Sequence, residues 1–145
     1  MDNEQNQELR ILANRARAAY FYVLTGSLIY IFISVIWSCG YTGKWASLGG
    51  ILSIALLLTG ISELHSHIKM IKLNQEFIPL AYRARVAYHW ILSGWLIAMV
   101  LSAIWRFGYE WANWGGAFGI LIMLTGLKGL YSYVKIIRNN GDGSI

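Results

Sequence analysis

Four long apolar runs, separated by short polar segments, set the pattern of this 145-residue chain. The runs cover residues 18–37, 48–68, 86–105 and 115–134. Each has close to the roughly 20 residues that an α-helix needs to cross about 30 Å of hydrocarbon. Polar and apolar positions do not alternate within them, as they would in the shorter strands of a membrane barrel. The pattern therefore predicts an all-α integral membrane protein with four transmembrane helices.

The second half of the chain repeats the first. The run RARAAYFYVLTGSLIYIFISVIWSCGY is matched by RARVAYHWILSGWLIAMVLSAIWRFGY, at an offset of 68 positions that becomes 66 after a shortening near Tyr109. About half of the aligned positions are identical, which indicates a duplicated structural unit. Because each copy has two spans, both copies enter the membrane from the same side. We predict two tandem, parallel-oriented two-helix repeats.

The repeats divide the chain into five segments. Pro79, the only proline, is expected in the first turn of the third helix, where its missing N–H costs nothing. The segments are a polar N-terminal segment (1–11), the first repeat (12–74), a linker (75–79), the second repeat (80–140) and a flexible C-terminal tail (141–145).

Composition and charge support a membrane location. Only 13% of the residues are charged and 57% are hydrophobic, whereas soluble domains carry about 25% charged residues. Basic residues cluster before the first span, between the second and third, and after the fourth, while the hairpin loops hold only Lys44 and Arg106. The positive-inside tendency therefore predicts cytoplasmic termini. The basic residues that produce the net charge of +5 lie beside the spans and do not form one soluble basic face. No nucleic-acid partner is therefore expected.

Aromatic residues are expected to mark both membrane interfaces, because amphipathic rings favour headgroup depth. The outer ends of the spans carry Trp37, Trp45, Trp105, Trp111 and Trp114. The inner ends carry Tyr20, Tyr22, Tyr88, Tyr131 and Tyr133. Cys39, the only cysteine, is expected as an unpaired thiol near the outer surface.

Small residues that permit close helix approach recur at matching places in both copies. Gly115 and Gly119 form a GxxxG pair, which Gly49 and Ser53 match in the first copy. We therefore expect helices two and four to pack closely, either with each other or across an oligomer. The candidate packing residues are Gly26, Gly49, Gly50, Ser53, Gly60, Gly94, Gly115, Gly116, Gly119 and Gly126.

Two ionisable residues, Glu63 and Lys128, fall within the predicted spans. Charges at membrane depth are costly and indicate function by default. The repeat alignment places Lys128 opposite Ser62, at nearly the same depth as Glu63, so an ion pair joining helices two and four is one interpretation. The alternative is that both side chains extend separately to the cytoplasmic interface.

Three histidines lie near the cytoplasmic face. His67 follows Glu63 by one helical turn, and His89 lies in the same leaflet. Glu63, His67 and His89 are weak candidates for a metal site or proton relay. Tyrosines and Phe21 occupy the matching positions of the other copy, which favours interface residues. No metal and no cofactor are expected.

An Arg-x-Arg pattern precedes the first span of each copy, at Arg15 and Arg17 and at Arg83 and Arg85. Paired guanidinium groups below a span suit anionic phospholipid headgroups, each basic residue contributing about 1 kcal/mol near a charged leaflet. A role in setting the membrane orientation of the chain explains these arginines equally well.

The plan of each copy resembles the YiaA/YiaB-type two-helix inner-membrane family. The features shared are a tryptophan closing the first span, a short hairpin loop and a lysine after the second span: Trp37, Gly43, Lys44, Trp45 and Lys69, then Trp105, Glu110, Trp111 and Lys135. The chain lacks the Arg-Asp ending expected after each second helix. The resemblance implies a bacterial inner-membrane protein and carries over no catalytic residues.

Enzyme signatures are absent from the sequence: it has no Gly-rich phosphate loop, nucleophile elbow, HExxH or CxxC. We predict a non-enzymatic multi-pass inner-membrane protein that acts through helix and lipid contacts, as an assembly, accessory or immunity-type factor. Its expected partners are anionic lipids and further copies of itself or another membrane protein. The alternatives are a small oligomeric ion channel or transporter, or a metal- or haem-binding membrane protein.

Overall fold

Four α-helices form the fold in this computed structural model. The structure describes residues 3–41, 43–72 and 77–141, and residues 113 and 141 are described by their backbone alone. No strand occurs among these residues. All four helices are long and apolar enough to cross a membrane, so the predicted all-α fold with four helices is confirmed. The helices are α1 (Asn3–Ser38), α2 (Lys44–Lys72), α3 (Ile78–Arg106) and α4 (Trp111–Gly141).

The helices are longer than the apolar runs that predicted them. α1 has 36 residues, α2 and α3 have 29 each, and α4 has 31. Even the shortest therefore extends about 44 Å at 1.5 Å per residue, beyond the roughly 30 Å of a hydrocarbon layer. α1 already begins at Asn3, within the polar N-terminal segment, because Glu, Gln, Leu and Arg are good helix formers. Polarity marks the end of a span but not the end of its helix.

Glycines end the first and third helices. Gly40 and Gly108 have φ of 84° and 94°, a left-handed backbone conformation that glycine adopts most readily. The Gly40 N–H donates to Trp37 O at 3.0 Å, and the Tyr41 N–H donates to Ile36 O at 3.2 Å. These two bonds form the Schellman pattern, which satisfies the last carbonyls of α1 as the chain turns into its hairpin loop.

The third helix begins as its proline predicted. α3 starts at Ile78 and carries Pro79 in its first turn. Most of the predicted C-terminal tail, residues 142–145, and the predicted linker residues 75–76 lie outside the described residues.

The described residues form two compact units. The first consists of residues up to Met70 together with those from Val134 onward, and the second is Ile71–Tyr133. The first unit therefore holds α1 and nearly all of α2, and the second holds α3 and most of α4.

In the first unit, α1 and α2 pack antiparallel. A Cβ placed on Gly26 would lie 3.0 Å from Leu57 N, and one placed on Gly60 would lie 2.8 Å from Val23 N. The contact residue on α1 moves back from Gly26 to Val23 while its partner on α2 moves forward from Leu57 to Gly60, as expected for antiparallel helices. Backbone atoms at these distances leave no room for a side chain, so glycine is what permits the two helices to touch. Val23 and Leu57 are fully buried beside this contact.

In the second unit, α3 and α4 pack in the same register. Gly94 faces the backbone of Met123, and a Cβ on Gly126 would lie 2.7 Å from Ile91 N. Shifting the α1 positions of the first unit by 68 and the α2 positions by 66 yields these same contacts. Residues that match in sequence therefore make matching contacts within each unit.

Most small residues of α2 and α4 pack against the preceding helix of their own unit; the expected close packing of helices two and four, with each other or across an oligomer, stays a prediction. Gly49 and Gly115 each meet a side chain of that preceding helix. A short hairpin loop holds consecutive helices together, so their facing sides are where small residues are needed. Gly50 has nothing within 4 Å of its Cβ position, and Gly116 has only Ser102 Oγ, at 3.9 Å.

Candidate functional site

Glu63 and Lys128, the acidic and the basic residue of the predicted spans, are both exposed. Glu63 lies on α2 in the first unit and Lys128 lies on α4 in the second. Exposed positions let long side chains reach toward the interface, as the alternative interpretation requires. The Glu63–Lys128 ion pair, which would join residues of different units, stays a prediction.

The candidate metal-binding histidines differ in their surroundings. His67 is buried, with 1% of its surface exposed, whereas His89 is exposed and its ring lies 5.5 Å from that of Tyr88, edge to face. Phe21 makes the matching contact with Tyr20, at 5.8 Å. The part of the chain that the structure describes contains no group of three or more His, Cys, Asp or Glu residues placed to hold a metal ion.

The arginines of the first copy contact their own unit. Arg15 Nη1 donates to Met70 Sδ at 3.0 Å. The Arg17 guanidinium carbon lies 5.6 Å from the centre of the Phe21 ring, within range of a cation–π interaction. Both side chains thus contact residues of the two helices of the first unit.

The arginines of the second copy are exposed, and one of them lines a groove between α3 and α4. The groove has a volume of about 360 Å³ and lies wholly within the second unit. Arg85 is not among its lining residues, so two neighbouring arginines of one motif differ in what they can contact. The lining residues are Tyr82, Arg83, Val86, Ala87, Trp90, Thr125, Gly126, Gly129, Ser132 and Tyr133.

Small residues make the floor of this groove. At Gly126 the backbone of α3 comes so close that a Cβ would lie 2.7 Å from Ile91 N. At Gly129, one turn further along α4, a Cβ would meet only Ala87 Cβ, at 3.6 Å. The space above Gly129 is therefore open to an occupant. Trp90 stands beside it, half-exposed, as a wall.

The groove is largely apolar, and its one charged lining residue, Arg83, lies at one end. Because α3 and α4 are antiparallel, Arg83 lies at the same end as Ser132, and Trp90 lies at the same end as Gly126. The Thr125 hydroxyl, at the apolar end, donates to Leu121 O of its own helix at 3.0 Å. The two ends lie about 12 Å apart, the length of eight helical residues.

The sequence differs between the copies at these groove positions. Glu63 stands in the first copy where Gly129 stands in the second, and Tyr22 stands where Trp90 does. The arginine is retained, as Arg15. The change from glycine to glutamate replaces an open apolar floor with a charged side chain.

Tyr133 and Trp95, two aromatic residues whose rings carry a polar group, are buried. Tyr133, expected at the headgroup interface, is 1% exposed, and Trp95 is 6% exposed. Among the described residues, Trp95 Nε1 has no hydrogen-bond partner. Polar aromatic residues near span ends usually orient outward, but Tyr133 lies one turn beyond buried Leu130 and one turn before buried Ile137. That helical spacing was the available signal.

Comparison with known proteins finds no matching family model, no similar curated protein and no similar solved structure.

Proposed function

We propose that this chain is a multi-pass bacterial inner-membrane protein, built from two tandem two-helix repeats, that acts without catalysis through helix and lipid contacts. Its role would be that of an assembly, accessory or immunity-type factor, with anionic lipids and a membrane-protein partner or further copies of itself as ligands. Matching contacts at matching residues in the two units support the repeat.

The exposed apolar surface of the helices is the observation that carries this proposal. Within the most apolar 18-residue window of each span, only 22% to 33% of the residues are buried. Large apolar side chains such as Phe32, Leu52, Val100 and Phe118 are more than half exposed. A surface this apolar requires lipid tails or another apolar helix around it.

Two half-buried glycines support a helical partner. Gly50 and Gly116 occupy matching positions near the start of α2 and α4 and leave open space where a side chain would be. Small residues with open space beside them permit another helix to approach closely. We place the partner contact at these positions.

The mass of the native complex, extracted in mild detergent with its bound proteins, tests the proposal. We expect a mass above that of one chain, 16.4 kDa. Gly50→Leu with Gly116→Leu should lower that mass, because the added side chains hold the partner helix away. Ala55→Leu, at an exposed position of α2, is the matched control and should leave it unchanged. A single chain with no bound protein would contradict the proposal.

The alternative functions have tests of their own. A channel or transporter would produce ion or solute flux in reconstituted liposomes, and flux that Glu63→Gln reduces would favour it over our proposal. A metal or haem site would give a metal signal in elemental analysis or a visible absorption band in the purified protein.

A further inference from the structure

We infer that the groove of the second unit binds one anionic phospholipid, with its phosphate at Arg83 and an acyl chain over Gly126 and Gly129. This inference rests on the proposed membrane location, and it names the ligand class and the site that the proposed function leaves open. Four features of the groove carry it: its charged end, its apolar end, its size and its difference from the first copy.

The charged end suits a phosphate. Arg83 precedes the apolar run that begins at Val86 by three residues, so it lies at headgroup depth when α3 spans a membrane. A guanidinium group binds phosphate oxygens through parallel N–H donors. The hydroxyls of Tyr82 and Ser132, both exposed at this end of the groove, are further donors to a phosphate or a glycerol headgroup.

The apolar end suits an acyl chain. The floor there is Gly126 and Gly129, and the walls are Val86 and Trp90. The hydroxyl of Thr125 is already satisfied by its own helix, so the wall at this end offers the occupant apolar surface. An amphiphile with an anionic head and a hydrocarbon tail matches this polar-to-apolar order, whereas a free phosphate ion would leave most of the groove unfilled.

The volume of the groove limits the site to part of one lipid. At about 360 Å³, it lies near the lower end of the roughly 300–1,000 Å³ range of ligand sites. The site therefore holds the headgroup phosphate and the upper part of one chain, while the remainder of the lipid stays in the bilayer.

The first copy lacks the same arrangement of residues. Glu63 takes the place of Gly129, and a carboxylate at this position repels a phosphate. Arg15, the match of Arg83, is engaged with Met70 Sδ at 3.0 Å. We therefore expect one tight lipid per chain.

Native mass spectrometry of the full-length protein in neutral detergent tests this inference. Phosphatidylglycerol and phosphatidylcholine vesicle lipids are titrated separately, and bound lipids are counted for each chain. We expect one phosphatidylglycerol to bind at least about fivefold more tightly than phosphatidylcholine, the factor for about one basic residue beside an anionic headgroup. Equal affinity for both lipids would overturn the inference.

Arg83→Gln and Arg85→Gln form a matched pair, because each removes one charge from the same exposed stretch of α3. Both substitutions reduce the general attraction to anionic lipid equally, so any difference between their lipid affinities reflects binding in the groove. We expect Arg83→Gln to weaken phosphatidylglycerol binding at least about fivefold and Arg85→Gln to weaken it much less. Equal losses would mean diffuse attraction and would overturn the assignment.

Gly129→Leu tests the floor. Its side chain fills the groove, so binding should be lost, whereas Ala117→Leu, at an exposed position of α4 outside the groove, should leave binding intact. If Gly129→Leu does not fold, as judged by circular dichroism, Ser132→Leu replaces it, because Ser132 is an exposed residue of α4 that also lines the groove. Unchanged lipid binding in the folded variant would refute the site.

Two further measurements separate failure of the lipid site from failure of the proposed function: carbonate extraction of the membranes and the mass of the native complex isolated from them. Protein that stays in the membrane with its partner but binds no phosphatidylglycerol would disprove only the lipid site. Protein that leaves the membrane would disprove the proposed function.

Discussion

At the scale of single residues, the effect of a glycine depends on what faces it. Gly119 faces the backbone of α3, where a Cβ would lie 2.6 Å from Ala98 N. Gly50 faces open space, and Gly129 faces a small side chain at ordinary contact distance. The same residue type thus permits helix contact in one place, leaves a surface free in another, and opens a groove in the third.

Gly119→Ala should therefore destabilise the protein, whereas Gly50→Ala should not. The added methyl at Gly119 would force α3 and α4 apart, and overpacking of this kind costs about 1–3 kcal/mol. At Gly50 the methyl meets nothing and alanine is the better helix former by about 1 kcal/mol. Thermal unfolding in detergent, followed by circular dichroism, measures both variants. Equal unfolding temperatures would contradict this account of the packing.

The cost of burying a polar residue also depends on what surrounds it. Ser27 and Ser53 are fully buried, and their hydroxyls donate to carbonyls of their own helices, Val23 O at 2.6 Å and Gly50 O at 2.9 Å. A serine that bonds its own helix carries no unsatisfied donor into the core. The two serines can therefore lie in the packed core as small residues, with their hydroxyls already hydrogen-bonded.

At the scale of helices, the sequence predicted the number and type of elements well. Twenty-residue apolar runs have one stable form in a bilayer, because only a helix satisfies its own backbone groups there. Pro79 correctly indicated the start of α3. The helices extend beyond the apolar runs, since polar flanks such as the segment after Asn3 still favour helix.

The groove could not be predicted from the pattern along the chain. It depends on which residue of α3 lies opposite which residue of α4, and that register is set by close contacts such as Gly126 with Ile91. The glycine pattern indicated that close contacts exist but not which helix supplies the partner. For the same reason, the sequence treated Arg83 and Arg85 as equivalent, although only Arg83 lines the groove.

Helix termination gives a second test at this scale. Gly108→Ala should destabilise the end of α3, because its φ of 94° costs an L-residue about 1–2 kcal/mol. Gly43→Ala is the matched control in the other hairpin loop, where a Cβ would meet only the Tyr41 ring, at 3.7 Å. We expect the Gly43 variant to change stability by less than about 0.5 kcal/mol. Similar losses in both variants would contradict the role of the left-handed turn.

At the scale of the whole molecule, the two copies share their packing and differ in their exposed chemistry. Matching contacts recur within both units, whereas Glu63 against Gly129 and His67 against Tyr133 distinguish them. A duplicated hairpin that keeps its helix contacts is free to change the residues around them. The specific ligand of this protein is therefore to be sought where the copies diverge.

The proposed topology makes the last prediction, and the chain carries its own probe. Cys39 is the only cysteine and is exposed just after the end of α1. With both termini cytoplasmic, an odd number of spans precedes it, so its thiol lies on the outer face. A maleimide that cannot cross membranes should label it in intact spheroplasts. In a Cys39→Ser background, Asn139→Cys, in the last turn of α4, should be labelled only after lysis. The reverse pattern would mean that the charge distribution around the spans does not set the orientation of this protein.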